Sequence, residues 1–332
     1  AIYLQENTEI TRSIISNMAQ SDYFDIVNDV NTLNAYRGDT PLQDTRSLLQ
    51  SGRVNFVLTI PSGFSKAWVR GEKPSLLLEA DATDPAAAAM AVAQIKPIVD
   101  RTLADIQIGS LDYLKPKPSS ITTLVHNKYN PEGISQFNIV PGLLGVILTM
   151  TMVMITSIAM TREAERGTME NLLAMPSKPL EVMIGKITPY VLMGLVQTII
   201  ILLASNMLFH LPFVGSGSTF GLGVGLFILA NLAIGFTFST IAKSQMQAMQ
   251  LTFFFFLPSM LLSGFMFPFQ GMPKWAQYLG EILPLTHFLR IVRGIMLKGT
   301  SLSLLSNEFL ALLAILIIVG IIAMLRYRQT LD

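Results

Sequence analysis

The densest charge in the second half of the chain lies in Thr161-Arg-Glu-Ala-Glu-Arg-Gly-Thr-Met-Glu-Asn-Leu-Leu-Ala-Met-Pro176. Helical spacing there sets Glu163 beside Arg166 and Arg166 beside Glu170 on one polar face. Met169, Leu172 and Leu173 form an apolar stripe, and Pro176 ends the segment. Such a pattern does its chemistry by docking. A helix lying on anionic lipid would be enriched in Lys and Arg, whereas Glu163, Glu165 and Glu170 here offset Arg162 and Arg166. The mixture suits a protein partner better than a lipid surface, with a solvated connector as the plain alternative that spacing leaves open.

Other candidates have bland explanations beside the sharp ones. Asp81 and Asp84 could pair as carboxylates, but Ala-Asp81-Ala-Thr-Asp84-Pro reads better as a strand end and a helix cap. Trp68 could be a ligand platform, though core packing beside Phe64, four residues earlier, is the stronger reading. Gly221-Leu-Gly-Val-Gly225 imitates a nucleotide loop, yet it lies in a long uncharged interval, where small residues serve close helix packing. The chain has no GxxxxGK[ST] phosphate loop. Cysteine is absent and His126, His210 and His287 are far apart, so disulfides, thiol catalysis and a His-rich metal site are not expected. No catalytic, cofactor or metal residue is assigned.

The elements that would carry these residues follow from composition. Of 332 residues, 51% are hydrophobic and only 14% charged, with a mean hydropathy of +0.51; soluble domains carry about 25% charge. The 23 Lys+Arg against 22 Asp+Glu leave no basic excess for nucleic acid. Residues 1–135 hold 12 Lys+Arg and 15 Asp+Glu, and residues 136–332 hold 11 and 7. Uncharged runs of 29, 56, 30 and 17 residues follow Glu132, Lys186, Lys243 and Glu308. A crossing helix needs about 20 apolar residues. The run of 56 is broken at His210-Leu-Pro-Phe-Val-Gly-Ser-Gly-Ser218, a turn by composition.

Five spans are therefore expected, at about 138–160, 187–209, 219–242, 248–267 and 307–325. They should be helices rather than barrel strands, because the runs are continuous and not alternating. Lys and Arg in the loops favour an extracytoplasmic N-terminal domain and a cytoplasmic C-terminus. Export of residues 1–135 then calls for a hydrophobic helix ahead of residue 1, giving six spans, or for a cleaved signal peptide. Phe253–Phe256 reads as lipid-facing or pathway-lining, and Pro258 should kink its helix. Met150, Met152 and Met154 suit an adaptable apolar surface or core packing equally. Residues 269–299 are too punctuated for a span and read as short outer or re-entrant helices. Arg290 and Arg293 there suit headgroups, an anionic substrate or, more simply, snorkelling.

Residues 1–135 read as a small α/β domain. Thr40-Pro41 opens a helix that buries Leu42, Leu48 and Leu49 and stops at Gly52. Val54, Phe56, Leu58 and Ile60 alternate as a strand. A short helix over 62–71 pairs Phe64 with Trp68. Ser75–Ala80 is a second strand, an Ala-rich helix runs from Asp84 to about Gly109, and Ile121–Tyr129 forms a further strand.

The run Arg-Glu-Ala-Glu-Arg-Gly-Thr-Met-Glu-Asn-Leu-Leu-Ala-Met-Pro with Gly185-Lys186 resembles the signature after the second span of type-2 ABC export permeases. Phe137-Asn-Ile-Val-Pro-Gly142, Gln247-Ala-Met-Gln250, Leu257-Pro-Ser259, Leu262-Ser-Gly-Phe-Met-Phe-Pro268, Met272-Pro-Lys-Trp275, Leu283-Pro-Leu-Thr286 and Arg293-Gly-Ile-Met-Leu-Lys-Gly299 are similar to later parts of the same family. Leu49-Gln-Ser-Gly-Arg-Val54 and Ile60-Pro-Ser-Gly-Phe64 resemble its bacterial YbhR/YbhS-like drug-export subgroup. The resemblance implies an α-helical polytopic protein of the bacterial inner membrane, its α/β domain inserted between spans one and two. It also implies that 162–175 is a coupling helix contacting a cytoplasmic ATPase subunit through Arg162, Glu163, Glu165, Arg166, Gly167, Thr168, Glu170 and Leu172. ATP and Mg would sit on that subunit. Bordering the substrate pathway would be Met150, Met154, Phe253, Phe254, Phe256 and Pro258. A second permease, identical or related, membrane lipid and a periplasmic membrane-fusion adaptor are the other expected partners.

The expected function is the transmembrane subunit of an ATP-driven exporter of amphiphilic or hydrophobic compounds, drugs and lipids included. The rival reading is a membrane-anchored sensor or assembly factor. A sensor should carry a sizeable output domain, whereas the largest cytoplasmic piece is about 25 residues. A secondary transporter would show repeats and mid-membrane polar residues, which are not found.

Overall fold

The computed structural model describes residues 1–21, 24, 26, 47–108, 121–166 and 179–326. They fall into two compact units, Ala1–Ser135 and Gln136–Asp332. The first holds, among the described residues, a four-stranded sheet: β1 (Ile2–Leu4), β2 (Phe56–Ile60), β3 (Ser75–Asp81) and β4 (Thr122–Lys128), in that spatial order. β1 runs parallel to β2, β2 antiparallel to β3 and β3 parallel to β4, with Leu58 opposite Ile2 and Leu78, and Leu78 opposite Val125. Helices α1 (Glu9–Gln20), α2 (Phe64–Val69) and α3 (Pro85–Ile108) accompany the sheet.

Local chemistry explains the starts of α1 and α3. Thr8 and Thr11 form a reciprocal cap at α1, which buries Ile10, Ile14 and Met18. The Asp84 carboxylate accepts from the backbone N–H groups of Ala86 and Ala87 (3.1 and 3.2 Å), while Asp81 accepts from Thr83. Both aspartates are thus turn and cap residues. Phe64 and Trp68 are buried in the core with Leu76, Leu78, Ile95 and Val99, which removes Trp68 as a ligand platform. The helix expected from Thr40 lies outside the described residues except for its end at 47–50, where Leu49 is buried and Gly52 takes φ +69°. β2 departs from simple alternation: Val57 is as buried as Leu58, because Leu49 and Val54 cover its second face.

The second unit contains α4 (Ser135–Glu165), α5 (Pro179–Phe209), α6 (Gly217–Ile241), α7 (Gln245–Leu262), a 3-10 turn at Phe269–Gly271, α8 (Lys274–Glu281), α9 (Pro284–Lys298) and α10 (Ser306–Arg326). Among the described residues four helices are long and apolar enough to cross a membrane: Ser135–Glu163, Gly185–Phe209, Gly217–Ile241 and Ser306–Arg326. The expected span at 248–267 overlaps α7, which is not among these four: eighteen residues opening with Gln245, Gln247 and Gln250 and followed by Gly264 at φ +86°. At about 1.5 Å per residue it reaches only about 27 Å, a little short of the hydrocarbon core.

α6 is the hub. The most apolar stretch of α6 is 67% buried by the rest of the chain, against 17% for α5 and for α10, whose outward Leu and Ile side chains need a lipid or protein cover. The Phe227 ring of α6 stacks on Phe288 of α9, centroids 3.9 Å apart and planes 4° apart. Close approach is made at glycines: a Cβ on Gly235 of α6 would stand 2.7 Å from the Val153 carbonyl oxygen of α4. In the 221–225 segment only Gly223 is used this way, facing Ile291; Gly221 and Gly225 face open space, which corrects the expectation that all three serve packing. α4, α5 and α7 each carry an interior proline, Pro141, Pro189 and Pro258.

Candidate functional site

The charged segment expected to form a separate coupling helix begins as a continuation of α4, which runs unbroken to Glu165. Arg162 and Arg166 are exposed and make no ion pair among the described residues. Glu163 pairs with Lys186 at the start of the apolar part of α5. Glu165 reaches α7, its carboxylate accepting from the Gln245 backbone N–H (2.8 Å) and from the Gln245 side-chain amide (2.5 Å). These two bonds, the side-chain one first, hold the Glu165 carboxyl below the ordinary glutamate range. The remaining expected contacts, Gly167, Thr168, Glu170 and Leu172, with the stripe at Met169 and Leu173, lie outside the described residues.

The expected pathway residues do not converge on one face. Phe256 is buried in the main core, and Met150, half-buried, packs against that core. Met154 is half-buried, while Phe253 and Phe254 point outward at 40% and 76% exposure. Pro258 is exposed, and its missing N–H leaves the Phe254 carbonyl without its helical donor. The neighbouring Ser259 hydroxyl donates to the Phe255 carbonyl at 2.7 Å.

A second cluster escaped the sequence. Arg290 on α9 pairs with Glu281 of α8 (2.6 Å) and Glu308 of α10 (3.3 Å), and its guanidinium lies 4.6 Å from the centre of the Phe269 ring. Arg290 is therefore an internal tie, neither a headgroup ligand nor a snorkelling cation. Arg293 donates to the Gly264 carbonyl at 3.1 Å. His287, one turn before Arg290, meets the Glu308 carboxylate at Nδ1 (2.6 Å) and the Glu281 carbonyl at Nε2 (2.9 Å). Both partners are acceptors, so the ring fills both bonds only as the imidazolium. The one available signal was the i,i+3 pair His287/Arg290 flanked by two isolated glutamates.

His287 lies on α9, outside the four candidate crossings. Burial pulls its pKa down, but the Glu308 carboxylate and the Glu281 carbonyl outweigh that and raise it above the ordinary value. Stability from this contact is thus complete below about pH 6.5 and lost as pH climbs through the raised value. The charges facing the ring are Glu281 from α8, Arg290 from α9 and Glu308 from α10. The melting temperature of detergent-solubilised protein is expected to fall between pH 6 and 9, and His287→Gln to flatten that slope. An unchanged slope in the variant would remove His287 as its source.

Comparison with known proteins places this geometry. The model of the family described as ABC-2 family transporter protein matches residues 1–325. The chain is 29% identical to the probable multidrug ABC transporter permease YbhR of Escherichia coli K12, over 99% of this chain and 86% of that protein. It is 32% identical to the inner membrane transport permease YhhJ of the same strain, over 85% and 75%. It is also 27% identical to ABC transporter G family member 20 of Dictyostelium discoideum, over 63% of this chain and 29% of that protein.

Proposed function

The chain belongs to the ABC-2 transporter family, and from that premise we propose that it is the permease of a bacterial inner-membrane exporter of amphiphilic drugs or lipids, driven by a separate ATPase subunit. It is a multi-pass membrane protein and the transmembrane subunit of an ABC exporter. The observation that carries the finer reading is the continuity of α4. One helix long enough to cross the membrane also presents Arg162 and Arg166 just beyond its apolar stretch. A push on that end is delivered directly to a helix inside the bilayer, with no loop to absorb it.

In this reading 162–175, through Arg162, Glu163, Arg166, Gly167, Thr168, Glu170 and Leu172, meets the ATPase, which binds ATP with Mg, while the Glu165 carboxylate is taken up by Gln245. The N-terminal unit faces the periplasm, where it meets an adaptor, and the C-terminus is cytoplasmic. Five helices cross here, α7 included. A second permease covers part of the apolar outer face, and Met150, Met154, Phe253, Phe254, Phe256 and Pro258 border the path between the two. A ligand can shift such a permease between inward- and outward-open states only by binding them unequally, so the ATPase dimer must grip 162–175 differently in each.

The test is drug uptake into inverted vesicles. Uptake should require ATP and the co-expressed ATPase, and should vanish when the phosphate-loop lysine of that ATPase is replaced. Uptake by the permease alone would defeat the reading.

A further inference from the structure

We propose that Glu165 is a positioning residue that makes the start of α7 move with the end of α4, so that work delivered to α4 reaches the helix bearing Phe253, Phe254 and Pro258. The inference rests on the reading of that end of α4 as the motor-facing one, and it goes beyond it by giving Glu165 an internal partner in place of the ATPase.

At the start of α7 the Lys243, Gln245 and Gln247 N–H groups each have a side-chain acceptor. Ser244 is the N-cap and accepts from the Gln247 N–H at 3.2 Å, while the Gln247 side chain accepts from the Lys243 N–H at 2.8 Å. The Gln247 side chain thus reaches back past the cap to the residue before it, and the Gln245 N–H, one of the first-turn donors, has no acceptor from α7 itself. Glu165, eighty residues away in sequence, takes that donor and the Gln245 side-chain amide with its two carboxylate oxygens. A carboxylate at this place also meets the positive end of the helix. Bonds to an ionised acceptor are about twice as strong as neutral ones. The two-point grip fixes both distance and orientation.

One turn carries a second tie. Glu163, two residues before Glu165, holds Lys186. The last turn of α4 therefore grips the start of the apolar part of α5 with one carboxylate and the start of α7 with the other. A displacement of this turn cannot occur without dragging α7 or breaking both Glu165 bonds. Phe253 sits about two turns into α7 and Pro258 about four turns in, so both ride on the helix whose start Glu165 holds.

Two variants remove the grip from opposite sides. Glu165→Ala deletes the acceptor. Gln245→Pro deletes both donors while keeping a residue favoured at the first helical position, and Ser244 before it is already extended, as a residue preceding proline requires. With the co-expressed ATPase, each single variant should lower substrate moved per ATP hydrolysed about five- to tenfold. The double should be no worse than the weaker single, since both cut the same contact. ATPase co-purification should be unchanged throughout, and Glu165→Gln, which keeps an acceptor for the Gln245 N–H, should retain most of the transport. Loss of co-purification with Glu165→Ala alone would make Glu165 a direct ATPase contact and overturn the proposal. Additive or absent effects would overturn it as well.

A separate arm needs no motor. The chain has no cysteine, so paired Glu165→Cys and Gln245→Cys should cross-link with a short bifunctional reagent in membranes lacking the ATPase. No cross-link would overturn the proposal while leaving the proposed function standing. A cross-link in a permease that moves substrate without any ATPase would defeat the proposed function, and with it any lever at this position.

Discussion

Reversing both exposed arginines at the end of α4, Arg162→Glu with Arg166→Glu, is expected to cut drug export at least tenfold while the chain still accumulates in the membrane. Neither side chain is buried or ion-paired among the described residues, so their exchange should change the stability of the chain by no more than about 0.5 kcal/mol. Against a partner surface built for cations, like charges face each other and cost several kcal/mol, and about 1.4 kcal/mol already makes a tenfold difference in affinity. The neutral pair Arg162→Gln with Arg166→Gln should fall between wild type and reversal. Export into vesicles and ATPase co-purification are the two readouts. Normal values for both in the reversed protein would remove these arginines from the docking surface.

Gly235→Leu is expected to prevent stable accumulation of the protein. A Cβ at this position would stand 2.7 Å from the Val153 carbonyl oxygen and 3.0 Å from Thr156 Cβ. The first obstacle is backbone in the middle of α4, which has no rotamer to change. Overpacking of this kind costs about 1–3 kcal/mol for small additions, so Gly235→Ala should lower the melting temperature measurably and the leucine should separate α6 from α4. Gly221→Ala and Gly225→Ala, on the same helix with nothing within 4 Å, supply the control. They should be neutral or slightly stabilising, because alanine is favoured over glycine in a helix by about 0.8–1.0 kcal/mol in water. Equal effects at Gly235 and Gly221 would refute the close approach of α4 and α6.

Charge spacing carried the positions of the long helices, because a charge in hydrocarbon is costly wherever the chain folds. The uncharged intervals after Glu132, Lys186 and Glu308 coincide with α4, with α5 and α6, and with α10. The caps were legible too, since Asp84 acts on its own next two or three residues. Contacts between distant segments were not. Arg290 finds Glu281 and Glu308 nine and eighteen residues away, and Glu165 finds Gln245 at eighty. Spacing arithmetic reaches only three or four residues along one helix, so it paired Glu163 with Arg166 where the structure pairs it with Lys186. β1, three residues long, is too short to show a period. Residues 167–178, which carry much of the family signature, are where sequence resemblance speaks and the described residues do not.

The interior prolines give the transport helices a mechanical property. Pro141, Pro189 and Pro258 each lack the N–H that would have bonded the carbonyl four residues earlier. Flexing α4, α5 or α7 at those points ruptures nothing, whereas flexing elsewhere would forfeit a backbone bond worth about 1 kcal/mol net in water, with several at stake in lipid. These three rods come with articulated joints whose stiffness is already discounted, and a stroke arriving at one end is converted into rotation about them before any helix frays.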